Sequence, residues 1–422
     1  MDPWLLCYEE GYRNASQFTA DYMYFDELLR PLNDVYPSSR HRFLSQIICI
    51  VGTCLNALFI AVLLGRQMRR SVVNQILTAI ALCDLGLMMS YLSQLLVGPC
   101  DAVNYGYLWT LYTCFYAGFS CTLHGASLWL TVAMAAVRYA IISGRRHSGA
   151  RRTPSGQSKA NFDAKWTVGV LASALLLAVL GNAPNALRNQ PRDDGIWLYP
   201  SVLCDRPEMA NVTINYYSVQ PPAWWSCALE RSNYFVAGAV FKILPCVLLT
   251  AFMALLIQVL VSSRQRSRRL RRPNSTWAAD RTTLLLVLIV TVFLVTELPQ
   301  GLLVVATAFQ PRLFLFYRQV GDALDMMSLL NSSTNFLICC AMSANFRRRF
   351  LELFSPARLA ARLVSSTTSA KRSASRRANR SSGQWDSPRL SDAKRSPTAA
   401  LSGYAQAHHN GGDDSQNSDV HL

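Results

Sequence analysis

The chain has 422 residues, is 51% hydrophobic and 16% charged, and carries a formal net charge of +16. Soluble domains usually hold about 25% charged residues, and here the charges stand between long uncharged stretches, which excludes one large soluble core and points to a membrane protein. The basic excess lies in connectors beside apolar runs and in the C-terminal region, where anionic lipid would meet it, and that placement speaks against a nucleic-acid binder.

Residues 1–42 form the first segment, expected outside the cell. It opens on Met1-Asp2-Pro3-Trp4 with neither a basic run nor a long apolar one, so no cleavable signal peptide is expected. A membrane helix needs about 20 apolar residues. Seven stretches supply them, at about 43–64, 72–97, 107–142, 166–187, 234–261, 283–309 and 320–342. The expected fold is therefore all-α, a seven-transmembrane helix bundle over 43–343. A surface helix at 344–355 and a disordered cytoplasmic tail at 356–422 follow it. The tail is rich in Ser, Arg, Ala and Gly and cannot bury enough surface to fold alone. Its serines are candidate phosphorylation sites, and its last residues, Val420-His421-Leu422, could fit a PDZ groove. No internal repeat supports a transporter built from inverted halves.

Orientation follows from the connectors. Arg66, Arg69 and Arg70 lie in the first, six Lys and Arg from Arg145 to Lys165 in the third, and six Arg from Arg264 to Arg272 in the fifth. Arg347, Arg348 and Arg349 follow the seventh span, whereas the second connector has no Lys or Arg. Positive connectors face the cytoplasm, so the N-terminus is expected outside. The sequons at Asn14 and Asn211 then fall outside as candidate glycosylation sites. Of twelve cysteines, Cys49, Cys54, Cys83, Cys121, Cys246, Cys339 and Cys340 lie in spans, while Cys7, Cys100, Cys114, Cys204 and Cys227 lie in or near outer segments, where disulfides persist. No CxxC pair suggests a metal framework.

A charge at mid-bilayer costs at least about 2.5 kcal/mol on insertion scales, so each one needs a reason. Asp84, Lys242, Glu297 and Asp325 are such charges, with Asn56, His124, Asn331 and Asn335 as polar companions. Helical spacing puts His124, Ser127, Thr131 and Arg138 on one stripe, Phe293, Glu297 and Gln300 on a second, and Asp325, Ser328, Ser332 and Asn335 on a third. Lipid offers these groups no partner, so the stripes should face the bundle interior. Asn56 and Asn335 fit interhelical hydrogen bonding as well as switching, Asp84 fits a satisfied interior carboxylate, and His124 alone fits a plain buried histidine. Glu297 and Asp325 lie toward the outer halves of their spans, where a water-filled pocket would open.

Several motifs resemble the rhodopsin-like G-protein-coupled receptors across roughly 43–354. They are Asn56 in Gly52-Thr53-Cys54-Leu55-Asn56, the run from Asn74 through Leu77 and Ala81 to Asp84, Val137-Arg138-Tyr139, Pro245 and Pro299. Phe346-Arg347-x-x-Phe350 is similar to that family's amphipathic helix on the inner leaflet. Val137 replaces the usual acidic residue, Glu297 stands where most members have a tryptophan, and Asn335-Phe336-Leu337-Ile338-Cys339 lacks the usual Pro and Tyr. These departures, with Lys242-Ile243-Leu244-Pro245, Asp280-Arg281-Thr282-Thr283, Thr296-Glu297-x-Pro299-Gln300 and Gly321-Asp322-x-x-Asp325, resemble a narrower group: invertebrate neuropeptide receptors of the FMRFamide/myosuppressin and sex-peptide type.

The resemblance implies a non-enzymatic receptor in the plasma membrane. It would bind a secreted, C-terminally amidated neuropeptide outside and act on a heterotrimeric G protein inside, with receptor kinases and arrestin as further partners. It implies that Glu297, Asp322 and Asp325 offer carboxylates to a ligand cation while Tyr91, Gln94, His124 and Gln300 hold the amide end. Arg138, with Tyr139 and Asn335, would form the inner switch, and Asp280 is either its lock or a helix cap. Asp84, Ser127, Asn331 and Asn335 match a sodium site, and no other cofactor or metal is expected. A disulfide is expected from Cys114 to Cys204 or Cys227, with a second from Cys7 or Cys100 to the remaining one. A receptor for a small-molecule or lipid ligand is the alternative, and a transporter or channel a weaker one.

Overall fold

The computed structural model describes residues 15–66, 68–69, 71–98, 100–148, 164–199, 204, 211–269, 276–310, 312–342 and 344–354. By internal contacts the chain divides into residues 1–358 and 359–422, and every described residue falls in the first unit. Asn14, Cys7 and the expected tail at 356–422 lie outside the described residues.

Helices dominate. They are α1 (Ala15–Val35), α2 (Ser38–Leu63), α3 (Val72–Leu96), α4 (Tyr107–Ser148), α5 (Ala164–Arg188), α6 (Cys227–Gly238), α7 (Leu244–Arg269), α8 (Thr276–Phe309), α9 (Leu313–Met342) and α10 (Ala344–Phe354). A π-helical turn, Ala239–Ile243, joins α6 to α7 without a break. The seven expected spans are therefore α2, α3, α4, α5, the continuous α6–α7, α8 and α9. Six of these carry a stretch apolar enough to cross a membrane by length and composition. The seventh, α9, is 30 residues long but carries Arg318, Asp322 and Asp325, then Asn331, Ser332, Ser333 and Asn335. Its polarity is what an interior-facing helix can hold and a lipid-facing one cannot.

The helices close into a bundle. α2 packs on α3 and α9, α3 on α4, α4 on α5 and α7, α6 and α7 on α8, and α8 on α9. Phe43, Ile47, Ile50, Leu82, Phe115, Leu176, Leu180, Val247, Val295, Leu302 and Leu337 point outward and are exposed. An apolar belt of that kind marks a surface meant for another apolar medium, here the lipid. Inside, Phe59, Ile76, Ile80, Leu130, Val137, Phe336 and Phe346 form one core cluster. Leu128, Val132, Leu249, Met253, Leu256 and Phe293 form a second between α4, α7 and α8.

α10 follows α9 as the expected amphipathic helix. Phe346 is fixed between Phe59 at 5.5 Å and Phe336 at 5.9 Å, which ties α10 to α2 and α9. Two close approaches depend on glycine. A Cβ on Gly181 of α5 would lie 2.3 Å from the Phe241 ring, and one on Gly238 would lie 2.9 Å from the Gly301 carbonyl oxygen of α8.

Two elements were not foreseen by the sequence reading. α1 lies across the start of α9, with Phe25 5.9 Å from Phe316 and Asp21 Oδ2 3.3 Å from Arg312 Nε. A hairpin of β1 (Gln190–Leu198) and β2 (Thr213–Gln220) joins α5 to α6, with a register slip between Asp193 and Ile196 at Gly195, whose φ is +87°. The hairpin end of the bundle is fastened by a disulfide between Cys100 and Cys204. This corrects the expected pairing of Cys114, which is buried and reduced. Cys114 sits two turns into α4, about 10 Å below the helix start at 1.5 Å per residue. Cys100 lies ahead of the helix, where Tyr199 also donates to its carbonyl at 2.5 Å. Cys227 is disulfide-bonded too.

Candidate functional site

The bundle opens toward the hairpin end in a cavity of about 380 Å³. Each helix contributes through the stripe that its sequence makes polar. Tyr91 of α3, Tyr116 of α4 and Tyr317 with Asp325 of α9 line one wall. Asn182, Asn185 and Arg188 of α5 and Asn233 of α6 line the other, and His124, Lys242 and Gln300 form the floor.

The floor is a buried charge network. Lys242 Nζ lies 2.8 Å from Glu297 Oε2 and donates to Gln300 Oε1 at 2.7 Å. His124 Nε2 stands 3.2 Å from the same Glu297 oxygen and 3.3 Å from Lys242 Nζ. Ser328 donates to Gln300 at 3.0 Å, and Asn331 Nδ2 donates to Glu297 Oε1 at 3.2 Å. Glu297 is 0% exposed and does not line the cavity. Four spans thus meet on one carboxylate, and its cation comes from Lys242 of the chain itself. Lys242 reaches inward because it sits on the π-helical turn just before Pro245.

A second ion pair braces the α5 wall. Arg188 Nη2 lies 2.9 Å from Glu230 Oε1, and Trp225 Nε1 donates to Glu230 Oε2 at 2.7 Å. Glu230 is 0% exposed and stands in the first turn of α6, whose N-terminus Ser226 caps by accepting from the Leu229 amide. Asp325, in contrast, opens onto the cavity with no cation within ion-pair distance among the described residues. Its polar neighbour is Tyr91, whose hydroxyl also stands 3.1 Å from His41 Nε2.

Asp322 is 47% exposed, one turn nearer the rim, 4.0 Å from His41 and outside the cavity lining. Tyr36, between α1 and α2, lies 3.0 Å from His41 Nδ1. Burial, with Asp322 and Asp325 nearby, holds the Tyr36 proton more tightly than in a free tyrosine. Gln94 donates to Thr113 Oγ1 at 3.2 Å and also lies outside the lining.

Below the floor is a small cavity of about 20 Å³ around Asp84, room for a water-sized particle. Ser127 Oγ donates to Asp84 Oδ1 and Asn335 Nδ2 to Oδ2, both at 2.8 Å, and Ser332 adjoins. Asp84 is buried with no cation within ion-pair distance among the described residues, a costly state for a carboxylate. The oxygens of Asp84, Ser127 and Ser332 suit a hard monovalent cation. Asn331 lines this cavity but spends its amide on Glu297.

At the other end, Arg138 and Tyr139 are half-buried on α4, beside the fully packed Val137. Arg138 has Cys339 as a neighbour and no ion pair among the described residues. Asp280 belongs to α8, but its side chain lies outside the described residues. Of the expected outer sequons, Asn211 is exposed just before β2.

The sequence reading missed Arg188, Tyr116, Tyr317 and Asn185. Arg188 reads as an ordinary basic flank at the end of a span, and only Glu230 ahead of the next span hints at a partner.

Comparison with known proteins gives the same architecture a family. Residues 43–356 match the model of the serpentine type 7TM GPCR chemoreceptor Srw. The chain is 33% identical to the G-protein coupled receptor dmsr-1 of Caenorhabditis elegans, across 76% of this chain and 69% of that protein. It is 29% identical to sex peptide receptor-related protein 2 of the same organism, across 59% of this chain and 56% of that protein. It is 25% identical to the sex peptide receptor of Drosophila melanogaster, across 76% of this chain and 73% of that one. This is a signalling receptor rather than an enzyme, held in the plasma membrane by several passes, and its partners are a ligand and a G protein. The chain belongs to the Srw family of serpentine seven-transmembrane G-protein-coupled receptors.

Proposed function

We propose that this receptor binds a secreted, C-terminally amidated neuropeptide in the 380 Å³ cavity and passes the signal to a heterotrimeric G protein at the Arg138 end. In this reading the hairpin end and the N-terminus face outside, in line with the basic connectors at the opposite end. The observation that carries the proposal is Asp325, a carboxylate open to the cavity that no described cation matches. A ligand cation there would form a charge-assisted hydrogen bond in a partly dry site, stronger than a neutral one. The name of one relative, the sex peptide receptor, favours a peptide over a small apolar ligand.

Roles follow from position. Asp325 takes the cation, Asp322 attracts it at the rim, and Tyr91, His124 and Gln300 contact the buried end of the peptide. Glu297, already matched by Lys242, holds helices together rather than holding ligand. Gln94 supports the wall through Thr113. Arg138 and Tyr139 meet the G protein, with Asn335 and Asp280 in the switch. A sodium ion at Asp84, held with Ser127 and Asn335, would stabilise one state of the bundle. Sodium should lower agonist potency in the wild type, and equal potency with and without sodium would remove that role. Receptor kinases and arrestin would act on the C-terminal serines.

The test is calcium release in cells expressing the chain with a promiscuous G protein, challenged with a library of amidated neuropeptides. A nanomolar response that Arg138→Ala abolishes is expected. Silence across the library, with receptor at the cell surface, would refute the peptide reading.

A further inference from the structure

Helix α1 meets the bundle along one face. Asp21, Phe25, Leu29 and Asn33, four residues apart, are its buried or half-buried positions. Phe25 lies 5.9 Å from Phe316 and shares a cluster with Leu315 and Phe314 of α9 and with Cys227 and Tyr234 of α6. At its other end α1 stops at Val35, and after Tyr36-Pro37 the chain turns into α2. α1 therefore crosses the hairpin-side ends of three spans instead of extending any one of them.

The residues beside that face are sorted by chemistry. One position before Phe25, Leu29 and Asn33 stands an apolar or aromatic residue, Tyr24, Leu28 and Leu32. One position after each stands a charged residue, Asp26, Arg30 and Asp34. At 3.6 residues per turn the two sets lie about 100° to either side of the bundle-facing stripe. All six are exposed, and Val35 continues the apolar flank. A helix laid across the end of a ring of spans turns one flank to the centre of the ring and the other to its surroundings. The centre here is polar, with Asp322 at the rim and Asp325 and Arg188 below it. The surroundings are apolar at both ends of α1. Near its start, exposed Phe309 stands 5.9 Å from exposed Phe235, three residues before the Arg312 that pairs with Asp21. Near its end, Phe43 and Leu44 are exposed in the second turn of α2.

We propose that α1 is a membrane-surface helix. Its Tyr24, Leu28, Leu32 and Val35 flank docks on the lipid of the leaflet at the hairpin side, and Asp26, Arg30 and Asp34 stand in the water over the cavity mouth. A helix with one apolar and one charged flank lies in the interface plane with its apolar side in the headgroup–acyl boundary, and a tyrosine sits well at that depth. The flank joins two parts of the lipid-facing belt, so lipid covers it without a second protein. With four acidic residues and one basic, α1 has no attraction for anionic headgroups. The contact is apolar, and it stands whatever the ligand of the cavity is.

The experiment uses the full-length receptor in phosphatidylcholine nanodiscs. A fluorescent amino acid is introduced by stop-codon suppression in place of Leu28 and, in a second preparation, in place of Arg30. One quencher is phosphatidylcholine brominated near the top of its acyl chains; the other is iodide in the water. The reporter at position 28 should lose half or more of its emission in brominated lipid and little to iodide, and the reporter at position 30 should do the reverse. Replacing part of the lipid with phosphatidylserine should leave the quenching at position 28 within about a fifth of its value. Quenching at position 28 by iodide and not by brominated lipid overturns the proposal, because the flank then faces water. Protection from both quenchers overturns it too, because protein then covers the flank. If the receptor with the reporter at position 28 does not reach the nanodisc, the same outcomes are read at Leu32.

Discussion

Replacing Lys242 with Met removes the cation from a carboxylate that the fold has sealed off from water. Glu297 would keep His124 at 3.2 Å and Asn331 at 3.2 Å but lose the 2.8 Å contact that matches its charge. Breaking a buried pair by removing one partner costs about 3–5 kcal/mol, and the two remaining contacts place this case near 3. The cost falls on the arrangement in which the π-helical turn and α8 are drawn together over Glu297. An arrangement that separates them and wets the floor escapes it. A bias of about 3 kcal/mol is roughly a hundredfold in a two-state ratio. Basal G-protein signalling per receptor at the surface should therefore rise strongly in Lys242→Met. The double variant Lys242→Met with Glu297→Leu, which leaves no buried charge unpaired, should return toward wild type. The assay is ligand-free second-messenger output normalised to surface receptor. Unchanged basal output in a well-expressed Lys242→Met, or a double variant no nearer wild type than the single, would refute the reasoning.

Three further outcomes are expected. Asp325→Asn should weaken an activating cationic peptide by ten- to a hundredfold, the worth of one charge-assisted bond at about 1.5–3 kcal/mol, and equal dose–response curves would count against it. Cys100→Ser and Cys204→Ser should share one defect in surface expression, because both open the same cross-link, while Cys114→Ser should match wild type; a defect shared by Cys114→Ser and Cys204→Ser, with Cys100→Ser normal, would restore the Cys114–Cys204 pairing expected from the sequence. Gly181→Ala should lower the melting temperature of the purified receptor, since its Cβ would lie 2.3 Å from the Phe241 ring and overpacking costs about 1–3 kcal/mol. Phe241→Leu in the same chain should restore part of the loss, and full stability in Gly181→Ala would show that the ring moves aside freely.

The bundle was legible because apolar runs of about 20 residues have one main use, and α9 was legible by the spacing of its polar stripe even though its composition is poor for a span. The buried charges were legible one by one, but their pairing was not. Spacing along one helix fixes a shared face, yet the depth and rotation of Lys242 relative to Glu297 depend on how two helices meet. The same holds for Arg188 and Glu230. The hairpin was hidden because β1 reads Gln-Pro-Arg-Asp-Asp-Gly before Ile-Trp-Leu, a poor strand by composition. It forms where Thr110 donates to the Tyr217 carbonyl at 3.2 Å and Cys204 is cross-linked to Cys100. The disulfide was misassigned although the third span was placed from 107, where α4 begins, because the resemblance put the bridge on a cysteine within that span and Cys100 lies ahead of it.

The π-helical turn has a consequence for angular phase. The inward stripe of the fifth span runs Asn233, Ala237, Lys242, Cys246, Leu249, Met253, Leu256. Its steps are of three or four residues except one, from Ala237 to Lys242, which spans five and coincides with the i→i+5 turn at Ala239–Ile243. The upper half therefore keeps its polar side toward the cavity and the lower half its apolar side toward α4 and α8, although the two halves are about 100° out of register as a single α-helix. A chain one residue shorter in this turn would set Ile243 where Lys242 now stands whenever the lower half moved up to close the gap, leaving Glu297 facing a hydrocarbon. One inserted residue thus lets a single helix serve two environments, and its length can change only together with the charge at Glu297.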